Sequence, residues 1–115
     1  MTLQEFYEKN GGDLGEVLQR LPNEAMVRRF IHKFAEDPSY RKMQDALHMG
    51  DLKAAFLAVH TLKGIAQNLG FSDLAAAAHR LTEGLRDASG MPQRELVDAV
   101  DVCYESLMGA IHELD

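Results

Sequence analysis

Cysteine, proline and tryptophan are rare or absent in this chain. Its 115 residues include one cysteine, three prolines and no tryptophan. A single cysteine excludes an internal disulfide and a cysteine-based zinc site, and the apolar neighbours of Cys103 favour a buried thiol. No run of about 18 apolar residues occurs, and the first residues do not resemble a signal peptide. We therefore expect a cytoplasmic protein with no membrane partner.

Basic charge is also scarce. Twelve lysines and arginines stand against 18 aspartates and glutamates, which gives a net charge of −6. Because nucleic-acid binding requires a concentrated basic surface, we expect no nucleic-acid partner. The chain has no glycine-rich phosphate loop and is too short for an ATP-binding kinase domain beside a folded core. We therefore expect a single domain over residues 1–115 that is not an enzyme with kinase activity of its own.

Apolar residues recur at helical spacing along the whole chain, and no segment alternates as a strand would. The pattern predicts an all-α fold: an antiparallel up-and-down four-helix bundle over residues 38–114, with additional short helices in residues 1–37 that cover it. Glycine, proline and capping residues set the expected boundaries. The predicted helices are 2–10, 13–21, 24–36, a segment from Pro38 to Gly50, one from Asp51 to Gly70, one starting at Ser72 or Asp73, and a last helix with Pro92 in its first turn.

The most informative stretch is the second half of the helix that follows Asp51. Its apolar positions recur at spacings of three and four, which turns one face to the core. That face consists of Leu52, Ala55, Val59, Leu62, Ala66 and Leu69. His60 lies well away from this face and is expected to point to solvent, whereas Lys63 lies on its flank.

Gly64 is unusual, because glycine inside a helix costs about 1 kcal/mol relative to alanine. Residues four apart are neighbours on a helix, so glycine at 64 removes a side chain that would crowd His60 and lets another protein approach the ring. A neutral imidazole is a good nucleophile near pH 7, because the reference pKa of histidine is about 6.5. The ammonium group of Lys63, one turn away, suits a group with about two negative charges, such as a phosphoryl.

The run His60-x-x-Lys63-Gly64, followed by Ala-x-Asn-Leu-Gly and a second amphipathic helix, resembles the histidine-phosphotransfer (HPt) domain family of two-component phosphorelays. The resemblance covers about residues 24–113. It implies a helical bundle in which His60 accepts a phosphoryl group from a receiver-domain aspartate and passes it on. It also implies Nε2 as the attacking atom, which the residues alone leave open. Response-regulator receiver domains and a hybrid sensor histidine kinase are the implied partners, with Mg²⁺ on the receiver and no cofactor bound by this chain.

Further residues are expected around His60. Gln67 lies on the same outer face of the helix. If the next helix folds back about position 71, Thr82 lies opposite His60, with His79 and Arg86 one turn to either side on the same surface. Arg86 then becomes a second candidate cation for the phosphoryl group. Leu57 and Ile65 are apolar but lie off the core stripe, so we predict a docking patch for a receiver domain there. The alternative is that the N-terminal helices cover one of them, and burial of both under residues 3–36 would exclude the patch.

Other interpretations remain open at this stage. His60 could be an ordinary surface histidine, Gly64 could allow close packing of a neighbouring helix, and Arg86 could be a solvated residue at a helix end. The whole domain could be an adaptor that docks receiver or kinase domains without phosphotransfer. A metal or haem site is disfavoured, because no two histidines are three or four residues apart among His32, His48, His60, His79 and His112.

Overall fold

A computed structural model describes residues 1–114 of the chain. Within those residues it contains seven α-helices and no strand, which confirms the predicted all-α fold. The helices are α1 (Leu3–Lys9), α2 (Leu14–Arg20), α3 (Glu24–Phe34), α4 (Ser39–Met49), α5 (Leu52–Asn68), α6 (Ser72–Leu85) and α7 (Arg94–Glu113). None of the helices in this part of the chain is long and apolar enough to cross a membrane.

Most helix ends follow the predicted caps. The Asp51 carboxylate accepts a hydrogen bond from the amide of Ala54 and so starts α5. Gly50 and Gly70 have φ of 74° and 72°, a left-handed conformation that favours glycine and ends α4 and α5. The prediction for Pro92 was wrong by two residues, because the extended backbone of Gln93 (ψ 136°) delays the start of α7 until Arg94.

The central helix α5 packs between α4 and α6, and α7 packs on α6. Short connections at Gly50 and Gly70 make α4, α5 and α6 run antiparallel to one another. The bundle closes where α4 meets α7: the Tyr40 and Tyr104 rings stack with centroids 3.7 Å apart, and the Tyr40 hydroxyl donates to Asp101 Oδ1 at 2.7 Å. The buried stripe of α5 therefore faces a closed apolar core.

The N-terminal helices lie against the end of the bundle where α5 turns into α6. Phe6, Tyr7 and Phe34 form an aromatic cluster with Phe71 from that turn. The buried Tyr7 hydroxyl also donates to the Leu69 carbonyl at 2.7 Å. This end of α5 is consequently held by residues about sixty positions away in the chain.

Candidate functional site

The face of α5 that points away from the core carries the predicted site. Ala55, Val59, Leu62 and Ala66 are buried in the core, and His60 is exposed to solvent. The prediction that His60 points outward from a helix is therefore confirmed. Neither a hydrogen bond nor an ion pair joins its ring to another residue among 1–114, so the imidazole is accessible to a reaction partner.

An aromatic ring supports the imidazole from one side. The rings of Phe56 and His60, one turn apart, are nearly parallel, with an angle of 4° between their planes and 6.0 Å between their centroids. This separation corresponds to an offset stack. Phe56 is partly buried and packs against the core, so it restricts the orientations of the imidazole. Phe56 was not predicted as part of the site, although its spacing of four from His60 was a signal for it.

Open space lies above the backbone of Gly64. A Cβ atom built there would have no heavy atom within 4 Å, leaving aside the backbone of its own helix. The alternative that glycine allows a neighbouring helix to pack closely is therefore wrong. The prediction that a side chain at 64 would crowd His60 is wrong for a small side chain, because a methyl group there would not touch the His60 ring. The space that this glycine leaves is available to another molecule.

Two predicted cations flank this face in different ways. Lys63 is partly buried on the side of α5 that faces α6. The Arg86 guanidinium lies over the Phe56 ring, with 5.3 Å between its Cζ atom and the ring centroid. Phe56 thus contacts both the His60 ring and the Arg86 guanidinium.

Glu83 is an acidic member of the site that the sequence analysis did not single out. Its Oε2 atom accepts hydrogen bonds from Arg86 Nε at 3.0 Å and from Arg86 Nη2 at 2.9 Å. The hydrogen bonds from Arg86 hold the pKa of the Glu83 carboxyl below its usual value, and the charges of His79 and Lys63 lower that pKa further. Glu83 therefore lies among the positive groups that border the His60 face.

The placement of Thr82 beside His60 was wrong. Thr82 is fully buried, and its hydroxyl donates to the Ala78 carbonyl at 2.7 Å. The antiparallel fold of α5 and α6 does bring this turn of α6 near the site, but α6 is rotated so that Thr82 joins its apolar stripe. In place of Thr82, α6 presents Glu83, between the predicted His79 and Arg86 at helical spacings of four and three.

Leu57, Ile65 and Gln67 extend the outer face of α5. The Leu57 side chain is 58% exposed, whereas Ile65 is partly buried in an apolar groove with Leu21 and Phe30 from the N-terminal region. The N-terminal region thus partly covers Ile65, as the alternative expected for one of the two residues, and leaves Leu57 exposed. Gln67 is exposed, and its backbone carbonyl accepts a hydrogen bond from Arg20 at 3.3 Å.

A second groove lies beside Leu57, between α4 and α5, and it was not predicted. Met49 at the end of α4 is 79% exposed and lines this groove together with Leu57 and Thr61. Its position in the last turn before Gly50, next to polar residues, gave no sign in the sequence that it would stand beside Leu57. Both side chains are exposed apolar groups that line this groove, and Leu57 lies one turn of α5 before His60.

The five histidines do not form a metal site in the described part of the chain. No group of three or more histidine, cysteine, aspartate or glutamate side chains in residues 1–114 is arranged to hold a metal ion. The site consequently offers an imidazole nucleophile, two cations and open space.

Comparison with protein families gives one finding. The model of the Hpt domain family matches residues 25–112, which is most of the chain and includes the whole His60 face. No curated protein and no solved structure matches the chain significantly.

Proposed function

The chain belongs to the Hpt domain family, and from this membership we propose that His60 carries a phosphoryl group to and from receiver-domain aspartates in a two-component phosphorelay. The family implies phosphotransfer in such relays and interaction with receiver domains. The observation that carries the assignment to His60 is its exposed ring beside the open space above Gly64. A receiver must bring its aspartyl phosphate within about 3 Å of a ring nitrogen, and this space permits that approach.

The transfer is an in-line displacement at phosphorus. A ring nitrogen of His60, Nε2 by resemblance to the family, forms a P–N bond while the P–O bond to the aspartate breaks and its carboxylate leaves. The reverse displacement returns the phosphoryl group to a second receiver. The receiver supplies the Mg²⁺ ion and the acidic pocket, and this chain binds no cofactor of its own.

The positive groups of the site suit the charge that His60 would then carry. A phosphoryl group has about two negative charges near neutral pH. Lys63 lies on the same helix one turn from His60, and the Arg86 guanidinium lies over Phe56, the ring that also stacks with His60. Both cations are therefore assigned to neutralising the phosphoryl oxygens, while Gly64 and Gln67 leave the approach to the ring open.

The docking surface is proposed to continue from the His60 face toward α4. Leu57 and Met49 supply exposed apolar area, and Ile65 adds a partly covered apolar edge on the other side. Exposed apolar area of this kind marks sites of protein–protein interaction. The partner in this proposal is a receiver domain in the cytoplasm. Because the chain itself acts as a phosphocarrier and not as a kinase, a hybrid sensor histidine kinase supplies the phosphoryl group to that receiver.

The test is phosphoryl transfer from a panel of phosphorylated receiver domains in the presence of Mg²⁺. We expect acid-labile, base-stable label on the wild type and none on His60→Gln. His48→Gln is the matched control, since His48 is an exposed histidine on α4 away from the proposed nucleophile, and it should accept label as the wild type does. Label on His60→Gln would assign the acceptor to another residue. No label on the wild type with a broad panel would favour the adaptor function instead.

A further inference from the structure

Glu83 is placed where a carboxylate works against the chemistry proposed for His60. A phosphoryl group on His60 needs positive neighbours, yet Glu83 accepts two hydrogen bonds from one of them, Arg86. Its charge also interacts with those of His79 and Lys63. The acidic side chain is about half exposed, so it is not required to compensate a buried charge.

A continuous set of contacts joins this carboxylate to the nucleophile. Glu83 holds the guanidinium of Arg86 at 2.9 Å, the guanidinium lies 5.3 Å from the centroid of Phe56, and the Phe56 ring lies parallel to that of His60. Arg86 is therefore connected to the imidazole through the Phe56 ring, while two of its hydrogen-bond donors, Nε and Nη2, point to Glu83. To bind a phosphoryl group on His60, the guanidinium must give up some of these hydrogen bonds.

We infer that Glu83 is a positioning residue that acts through Arg86 and limits how strongly the site retains a phosphoryl group. The inference rests on the proposed function of His60. With His60 free, Glu83 orders the guanidinium beside the ring. With His60 phosphorylated, the phosphoryl group, with about two negative charges and three acceptor oxygens, competes with one carboxylate for the same donors. This competition lowers the affinity of the cation for the phosphoryl group and favours release of that group to the next receiver.

If Glu83 limits retention, the Glu83→Gln variant should retain the phosphoryl group on His60 more strongly than the wild type does. Glutamine keeps the size and helix preference of glutamate but removes the charge that competes for Arg86. Because exposed ion pairs are weak, we expect the phosphotransfer equilibrium to shift toward phosphorylated protein by about two- to fivefold. Asp98→Asn is the matched control, because Asp98 forms an exposed ion pair with Arg94 on α7 and its substitution changes the net charge equally.

The experiment is an internal competition. Equal amounts of ¹⁵N-labelled wild type and unlabelled Glu83→Gln are mixed with Mg²⁺ and a small amount of one receiver domain that transfers to the wild type. The receiver lets the phosphoryl group equilibrate between the two proteins, and intact mass spectrometry at mildly alkaline pH measures the phosphorylated fraction of each. The same competition is run for Asp98→Asn, and for Glu83→Gln combined with Arg86→Gln against Arg86→Gln alone.

A two- to fivefold excess on Glu83→Gln that is absent in Asp98→Asn and disappears in the Arg86→Gln background would support the inference. Equal or lower phosphorylation of Glu83→Gln would overturn it, and so would a gain that persists fully without Arg86 or one that Asp98→Asn shares. A wild type that accepts no phosphoryl group from receivers, or from phosphoramidate as a small-molecule donor, overturns the proposed function itself. If the wild type is phosphorylated and Glu83→Gln is phosphorylated to the same extent, only the inference about Glu83 fails.

Discussion

Replacing Gly64 with alanine should raise the stability of the chain and lower its rate of phosphoryl transfer. Gly64 lies inside α5 and is not among the glycines with positive φ, which are Gly11, Gly50 and Gly70. A Cβ atom at this position has no heavy atom within 4 Å apart from the backbone of its own helix. Alanine therefore fits the folded chain without strain.

The expected change in stability follows from helix propensity. Alanine is favoured over glycine inside a partly exposed helix by about 0.5–1 kcal/mol. In a domain of this size, such a gain raises Tm by about 2–5 °C. Gly109 in α7 is the matched control, because it is also helical and has no heavy atom near a built Cβ; it is exposed, whereas Gly64 is partly buried. Gly109→Ala should raise Tm by a similar amount, as measured by circular dichroism.

The expected change in activity has the opposite sign. A methyl group at 64 occupies the space through which a receiver reaches His60, and a displacement of reacting atoms by about 1 Å can cost up to a hundredfold in rate. We expect Gly64→Ala to slow transfer from a receiver at least about tenfold, and the longer side chain of Gly64→Gln to slow it more. Phosphorylation by phosphoramidate should change little, because this small donor does not need the space above the helix.

Two results would refute this reasoning. Destabilisation by Gly64→Ala, with stabilisation by Gly109→Ala, would mean that the space at 64 is not open in the folded chain. Wild-type transfer rates from a receiver in both Gly64→Ala and Gly64→Gln would mean that the glycine is not required for docking.

Three further predictions concern the bundle itself. Tyr7→Phe should lower the free energy of unfolding by about 1–3 kcal/mol in urea titrations, because the buried Leu69 carbonyl loses its hydroxyl partner; an unchanged midpoint would show that water replaces it. Thr82→Ala should cost about 1–2 kcal/mol, because a buried methyl group and the hydrogen bond to Ala78 are lost, yet should leave transfer from a receiver at the wild-type rate; a specific loss of transfer would return Thr82 to the site. Stability should fall above about pH 10, because burial raises the pKa of Tyr7 and Tyr40 in the folded chain while tyrosines of the unfolded chain lose protons freely. Urea titrations from pH 8 to 11 should show a shallower fall for Tyr40→Phe, and equal slopes would contradict the assignment.

The sequence predicted the helices well, because their determinants are local. Apolar spacing fixes the buried face of α5, and Asp51 and Gly70 define its limits through hydrogen bonds and backbone conformation within a few residues. The same argument placed His60 on the outer face correctly. In each case one helix contains all the information that the prediction needs.

The neighbours of His60 on α6 were harder to predict, because they depend on how two helices are rotated relative to each other. Pairing residues on either side of the turn gives the position of each α6 residue along the axis of α5, and this pairing placed Thr82 level with His60. It does not give the rotation of α6. The stripe of Ala78, Leu81 and Leu85 contained that information, since Thr82 follows Ala78 by four and belongs to the same buried face. Applying the stripe first would have selected Glu83 instead.

Hydrogen bonds at both ends of α5 hold the backbone that carries the exposed His60 in one position. Asp51 caps the start of the helix, and at its other end Tyr7 donates to the Leu69 carbonyl while Arg20 donates to the Asn68 carbonyl at 3.1 Å. Tyr7 and Arg20 lie outside residues 25–112, so residues beyond the region that matches the family stabilise the last turn of α5. A carrier that meets different receivers in turn gains from a fixed backbone, because each partner then finds the imidazole in the same place. The N-terminal helices therefore contribute to the proposed relay without contacting its reacting atoms.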